Sequence, residues 1–181
     1  MANIMFLDTE TTGLNSKLNG IVKIAYIIYD TDLRSVIERG EELVNPGKVL
    51  IDEKAMQINK IDINFAKSEG ISAELLGQTI WDLVYEYDVK RVAGWNINFD
   101  IEFIKECMKK EDQIHLHKKL RKIDLRILGY LCLDLDYYSL ENVAKELEIE
   151  YIPHNCMSDV SACVKIYKVL WENKNKESDK I

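Results

Sequence analysis

Positive charge is in short supply in this sequence: 24 Lys and Arg stand against 31 Asp and Glu, a formal net charge of −7. Phosphate contacts are made by Lys and Arg, so the composition argues against a protein that wraps long nucleic-acid duplexes tightly. It does not argue against a short strand end held through bound cations, because those ions supply the missing charge locally. Cysteine pairing is also lacking. Cys107, Cys132, Cys156 and Cys163 form no Cys-x-x-Cys unit, which argues against a zinc site and for reduced thiols in an intracellular, cytoplasmic setting. No apolar run reaches membrane-spanning length, and Met1–Leu7 is too short and strand-like for a secretory signal, so no membrane association is expected. Repeats and linkers are absent too. One domain over residues 1–172 is expected, followed by a polar, disordered tail at 173–181.

What is present is a mixed α/β pattern. Ile4–Leu7, Ile21–Tyr29 and Glu38–Val44 read as strands, the third closed by Asn45-Pro46-Gly47. Their short connections predict an antiparallel meander. Helices are expected over Asp52–Asn59, Ser72–Tyr87, Asn98–Lys109, Ser139–Leu147 and Ser158–Trp171, with a buried strand at Arg91–Trp95. Ile123–Leu133 is ambiguous between strand and helix. The order implies a mixed sheet flanked by helices.

Three clusters carry chemistry. Asp8 and Glu10 end the first strand, where positions i and i+2 share a face. Two carboxylates so close repel unless a cation sits between them, and hard oxygen ligands suit magnesium or manganese. Thr11-Thr12-Gly13 then forms a tight hydroxyl-rich turn. Asp100 opens a helix after a buried strand, where on its own it is an ordinary first-turn acid. His154 precedes the last helix, after Pro153, on a segment suited to a mobile base. Asp159 follows, with Ser158 a candidate helix cap.

Taken singly, each cluster also fits an ordinary surface turn or helix cap. In order, Asp8-Thr9-Glu10-Thr11-Thr12-Gly13, Asn96-x-x-Phe99-Asp100 and His154-x-x-x-x-Asp159 resemble the DnaQ-like (DEDDh) 3′-to-5′ exonucleases over roughly residues 3–172. Asn45-Pro46-Gly47, Ile123-Asp124-Leu125-Arg126 and Ser139-Leu140-Glu141-Asn142-Val143 also match family segments. The resemblance implies an RNase-H-like fold with a five-stranded mixed sheet, the first three strands antiparallel and the rest parallel. It implies that Asp8, Glu10, Asp100 and Asp159 bind two Mg2+ ions, for which Mn2+ can substitute, and that His154 is the general base. Thr11, Thr12 and Leu14 would line the terminal-nucleotide pocket, with Phe99 beside Asp100. The substrate implied is the 3′ end of a single strand, DNA in preference to RNA, because the early motif resembles the proofreading and repair branches. A polymerase or another replication or repair partner could supply processivity to so acidic a protein.

The pattern departs from the family in three places. Trp95 stands where a His is frequent, Cys156 where a small Ala is usual, and Asn59 nearest a pocket His. None removes a metal ligand or the base. A catalytically silent family member acting as a nucleic-acid-binding or polymerase-associated module is the competing reading, although such members usually lose one of the five residues and all five are present.

Overall fold

A computed structural model describes residues 3–172, apart from the side chains at 115, 117 and 172. The expected tail at 173–181 lies outside the described residues.

A sheet forms the centre of the molecule. Strand β1 (Asn3–Thr11) pairs antiparallel with β2 (Ile21–Asp30), which pairs antiparallel with β3 (Ser35–Asn45). On its other edge β1 pairs parallel with β5 (Val89–Gly94), and β5 parallel with β6 (Arg121–Asp124). The sheet has six strands rather than five. The addition is β4 (Ile71–Ser72), two residues pairing parallel with Val44 and Asn45 at the end of β3. Gly70 permits that approach, since a Cβ there would stand 2.5 Å from the Asn45 amide nitrogen. A two-residue strand carries no alternation, so no periodic pattern announces it.

Helices cover both faces. Between β3 and β5 lie α1 (Glu53–Asn59), α2 (Ile63–Glu69) and α3 (Ala73–Glu86), followed after β5 by α4 (Ile97–Glu106) and α5 (Lys110–Lys119). After β6 come α6 (Leu125–Cys132), α7 (Leu140–Glu146) and α8 (Cys156–Tyr167), and a π-helical turn at Lys168–Glu172 ends the described chain. The caps explain most of the boundaries. Asp52, Asp62, Ser72, Asp124 and Ser139 each accept a hydrogen bond from a first-turn amide. Asp124 thereby resolves the ambiguous segment: residues up to it are strand β6, residues after it helix α6. The last helix starts two residues earlier than its pattern suggests, because Asn155 rather than Ser158 is the cap.

Alternation along β1 divides the interior. Met5 and Leu7 face a core shared with Leu76 and Ile80 of α3 and Ile97 and Ile101 of α4. Ile4 and Phe6 face a second core with Val160, Cys163 and Tyr167 of α8. Phe6 meets the Tyr29 and Tyr167 rings edge-on, at 6.2 and 5.5 Å between centroids. Each such fully buried side chain is worth about 1.5–3 kcal/mol of transfer free energy. With neighbours on both edges and a core on each face, β1 is a fixed platform for whatever its C-terminal end carries.

Candidate active site

The platform ends in carboxylates. By the alternation that sends Ile4 and Phe6 toward α8, Asp8 and Glu10 project to that same face. There α8 brings in Asp159 from its first turn. Asp8, Glu10 and Asp159 each offer a ligand atom within 4.8 Å of the others. Asp100 arrives from the opposite face, in the first turn of α4, and Thr9 ties it to β1. The Thr9 amide and the Thr9 hydroxyl both donate to Asp100 Oδ1, at 2.9 and 2.7 Å. The strand residue between the two β1 acids thus anchors the fourth acid, Asp100.

Burial makes these acids reluctant to ionise. Desolvation raises Asp8 from 3.8 to about 6, opposed by the neighbouring Cys156 thiol. Burial, then the Asp8 charge, lifts Glu10 from 4.5 to about 7, with Lys23 pulling the other way. Burial, then Asp8 and Glu10, pushes Asp159 from 3.8 to about 8, partly offset by the Tyr151 hydroxyl. Asp100 is also held well above the usual carboxylate range by burial and Asp8, despite the two bonds from Thr9. Asp159 Oδ1 is buried and accepts no hydrogen bond. An orphaned carboxylate oxygen among mutually repelling acids, whose grouped ligand atoms are carboxylate oxygens, fits a hard divalent cation such as magnesium or manganese.

The family is decided by the sequence over this same span: a family model for the RNase T group, described as exonuclease, matches residues 5–167. The chain belongs to the RNase T exonuclease family. No curated protein sequence matches it significantly. Among solved structures, E. coli Exonuclease I in complex with a dT13 oligonucleotide aligns with a TM-score of 0.82 at 21% identity, over 99% of this chain and 43% of that one. The zinc-bound form of an E. coli Exonuclease I–single-stranded DNA complex gives 0.82 at 20% identity, over 99% and 42%. Exonuclease I from Methylocaldum szegediense gives 0.76 at 20% identity, over 97% and 42%. These likenesses are of fold, and they bear out the RNase-H-like α/β architecture. The chain spans less than half the length of each of these structures.

The remaining expected residues of this RNase T family chain fall into two groups. Leu14 is 84% exposed and, with Phe99, lines a cavity of about 440 Å3 beside the carboxylates' end of the sheet. The threonines point elsewhere. The Thr11 hydroxyl donates to the Gly13 carbonyl at 2.7 Å, and the Thr12 hydroxyl donates to the Leu50 carbonyl at 2.8 Å while accepting from the Gly20 amide. Both are buried fasteners of the turn that presents Leu14. Asn59 is a fastener too: buried, it donates to the Thr11 carbonyl at 3.2 Å and accepts from the Ile61 amide at 3.1 Å. Trp95 packs between the α8 core and a small third cluster around Val143 and Ile166, so its indole serves packing.

His154 is exposed on the loop before α8, with a positive φ of 59°. The loop is clamped on both sides, by the Ile152 amide on Ser158 Oγ at 2.8 Å and the Ser158 amide on Asn155 Oδ1 at 3.0 Å. Ser158 therefore fixes the His154 segment instead of capping the helix. Three contributors were not evident from the sequence. Thr9 orients Asp100; the Cys156 thiol donates to the Asp8 backbone carbonyl at 3.0 Å; and Tyr151 sits against Asp159, its own phenol raised by burial and that carboxylate. Only Cys156 left a signal, as a small residue standing where the family pattern usually has Ala. Another cavity, of about 600 Å3 between β3 and α8 near Val36, Arg39 and Lys168, has none of the four site carboxylates in its lining.

Proposed function

We propose that this domain is a metal-dependent 3′-to-5′ exonuclease that hydrolyses the terminal phosphodiester of single-stranded nucleic acid, DNA in preference to RNA. The reading rests on one observation above the others: three carboxylates from opposite ends of the chain converge, and one of them leaves a buried oxygen without a partner. Asp8, Glu10, Asp100 and Asp159 would hold two Mg2+ ions, with Mn2+ able to substitute. When bound, such ions supply Lewis acidity and a more acidic water in phosphodiester hydrolysis. His154 accepts the proton of the attacking water, a role suited to an imidazole on an exposed, tethered loop. Leu14 and Phe99 flank the terminal base as apolar surfaces, while the turn at Thr11 and Thr12 holds Leu14 in place. The preference for DNA is supported by Exonuclease I structures of this fold that contain dT13 and dA16 oligonucleotides. The net charge of −7 leaves little general hold on a strand, so a replication or repair partner, such as a polymerase, would supply processivity.

The test is a gel assay on end-labelled DNA and RNA single strands of matched sequence, in magnesium, in manganese and in chelator. A metal-dependent ladder starting at the 3′ end, more intense for DNA, is expected. Binding without shortening by a folded protein would overturn the enzymatic reading in favour of a silent binding module.

A further inference from the structure

The cavity beside Leu14 and Phe99 has three asparagine side chains in its wall: Asn15, whose Oδ1 accepts from the Lys17 amide, and Asn96 and Asn98 from the entry to α4. The latter two are each engaged by a cation from β6–α6. Lys122 Nζ lies 2.8 Å from Asn98 Oδ1, and an Arg126 guanidinium nitrogen lies 3.3 Å from Asn96 Oδ1. Lysine and arginine carry only donors. The atom facing each of them must therefore be the amide carbonyl, and the NH2 groups, two donors apiece, are left for other partners. Asp124 sets the arrangement, its Oδ1 accepting from the Asn96 and Arg126 backbone N–H groups at 3.2 and 3.0 Å while its Oδ2 lies 3.9 Å from the Arg126 guanidinium. The one carboxylate in this wall, Glu102, is engaged by Lys105 at 2.6 Å. In a chain of net charge −7, this wall shows amide donors backed by the Lys122 ammonium and by the Arg126 guanidinium, the latter partly offset by Asp124.

We infer that Asn96 and Asn98, with their carbonyls committed to Arg126 and Lys122, form a donor pair that grips a backbone phosphate of the strand near its 3′ end. The inference rests on the nucleic-acid reading above and adds a site to it. A phosphate suits the wall better than a base. It offers acceptors only, it carries the charge that the two cations favour, and it is the same at every step of a strand moving past the site. Lys122 and Arg126 act through the amides: they fix which end of each amide faces outward.

The experiment measures strand binding by fluorescence anisotropy in chelator, so that no hydrolysis is involved, on single-stranded DNA carrying one neutral methylphosphonate at each of the last four linkages in turn. The parent protein should lose about tenfold in affinity at one linkage, as expected for a hydrogen bond to a charged group. Asn98→Ala should bind the unmodified strand about tenfold more weakly and lose sensitivity to that one methylphosphonate. Asn98→Asp, which replaces donors by an acceptor, should bind more weakly still. Lys122→Met should produce part of the Asn98→Ala loss, because the freed amide can turn its carbonyl outward. Asn98 is exposed, and unchanged thermal melting of the variants would show that the fold is intact. If Asn98→Ala keeps the parent's methylphosphonate profile, the inference fails. If it loses sensitivity to an abasic 3′ nucleotide instead, the donors read a base and the phosphate assignment is overturned. Absence of shortening in magnesium would defeat the enzymatic reading, yet the binding profile would still decide this one.

Discussion

Asp8→Asn should stabilise the metal-free protein at alkaline pH and remove its response to magnesium. Folding raises the Asp8 carboxyl from 3.8 to about 6. An acid raised in this way gives stability that is fully present below the unfolded value and is lost as pH climbs through the folded one. A shift of about two units corresponds to about 3 kcal/mol of lost stability above pH 7. The Asp8 charge also helps to raise Glu10, Asp100 and Asp159, so neutralising it relieves those three as well. Asparagine keeps the shape and leaves the backbone carbonyl that Cys156 engages. In chelator at pH 8, the variant should melt roughly 6–12 °C above the parent, given about 2–4 °C per kcal/mol for a domain of this size. The difference should shrink toward pH 4, where the parent's carboxyl is largely protonated. Magnesium should raise the parent's melting temperature and barely move the variant's. Circular dichroism melts with chelator and with magnesium, at both pH values, provide the measurement. A variant that melts at or below the parent in chelator at pH 8 would refute the claim that the carboxylates are held together against their own repulsion.

Other substitutions probe single links. His154→Ala should slow single-turnover cleavage by about 10²- to 10⁴-fold, the usual worth of a positioned base, with far less loss of strand affinity; equal losses in both would make His154 a structural residue. Thr9→Val removes the hydroxyl bond to Asp100 while keeping shape, and should weaken magnesium binding or activity about 10- to 100-fold; calorimetric titration showing unchanged affinity, together with unchanged turnover, would refute that positioning role. Asn59→Ala leaves the Thr11 carbonyl and Ile61 amide without a partner and should cost about 1–3 kcal/mol in urea unfolding. A cost below that range would mean that the turn does not depend on Asn59.

The parts of the molecule that were legible from sequence are those where local and tertiary preferences agree. The run Ile4–Leu7 followed by Asp8 and Glu10 reads as a buried strand with two acids on one face, and it folds that way. Asp52, Ser72 and Ser139 cap the helices their patterns indicate. Helices α2 and α5 escaped because they are short or largely charged: Lys110–Lys119 shows almost no apolar stripe, so tertiary contacts through Leu116 hold it. At α8 the cap is Asn155, three residues ahead of the expected Ser158, whose hydroxyl is engaged by the Ile152 amide. The finer structure of the candidate site was hidden for a different reason. The Thr9–Asp100 bonds span 91 residues and the Cys156–Asp8 contact 148, and no local pattern records such pairings.

The two-sided burial of β1 has a consequence for how changes elsewhere reach the carboxylates. Packing on one face of the sheet supports α4 and through it Asp100; packing on the other supports α8 and through it Asp159. A size change at Leu7 is therefore transmitted to Asp100, and one at Phe6 to Asp159. The two cores lie on opposite faces of β1, β2 and β5, so variation on one face should couple only weakly to variation on the other. Drift in one core can proceed without compensating changes in the other, and the two halves of the carboxylate cluster can be tuned one at a time.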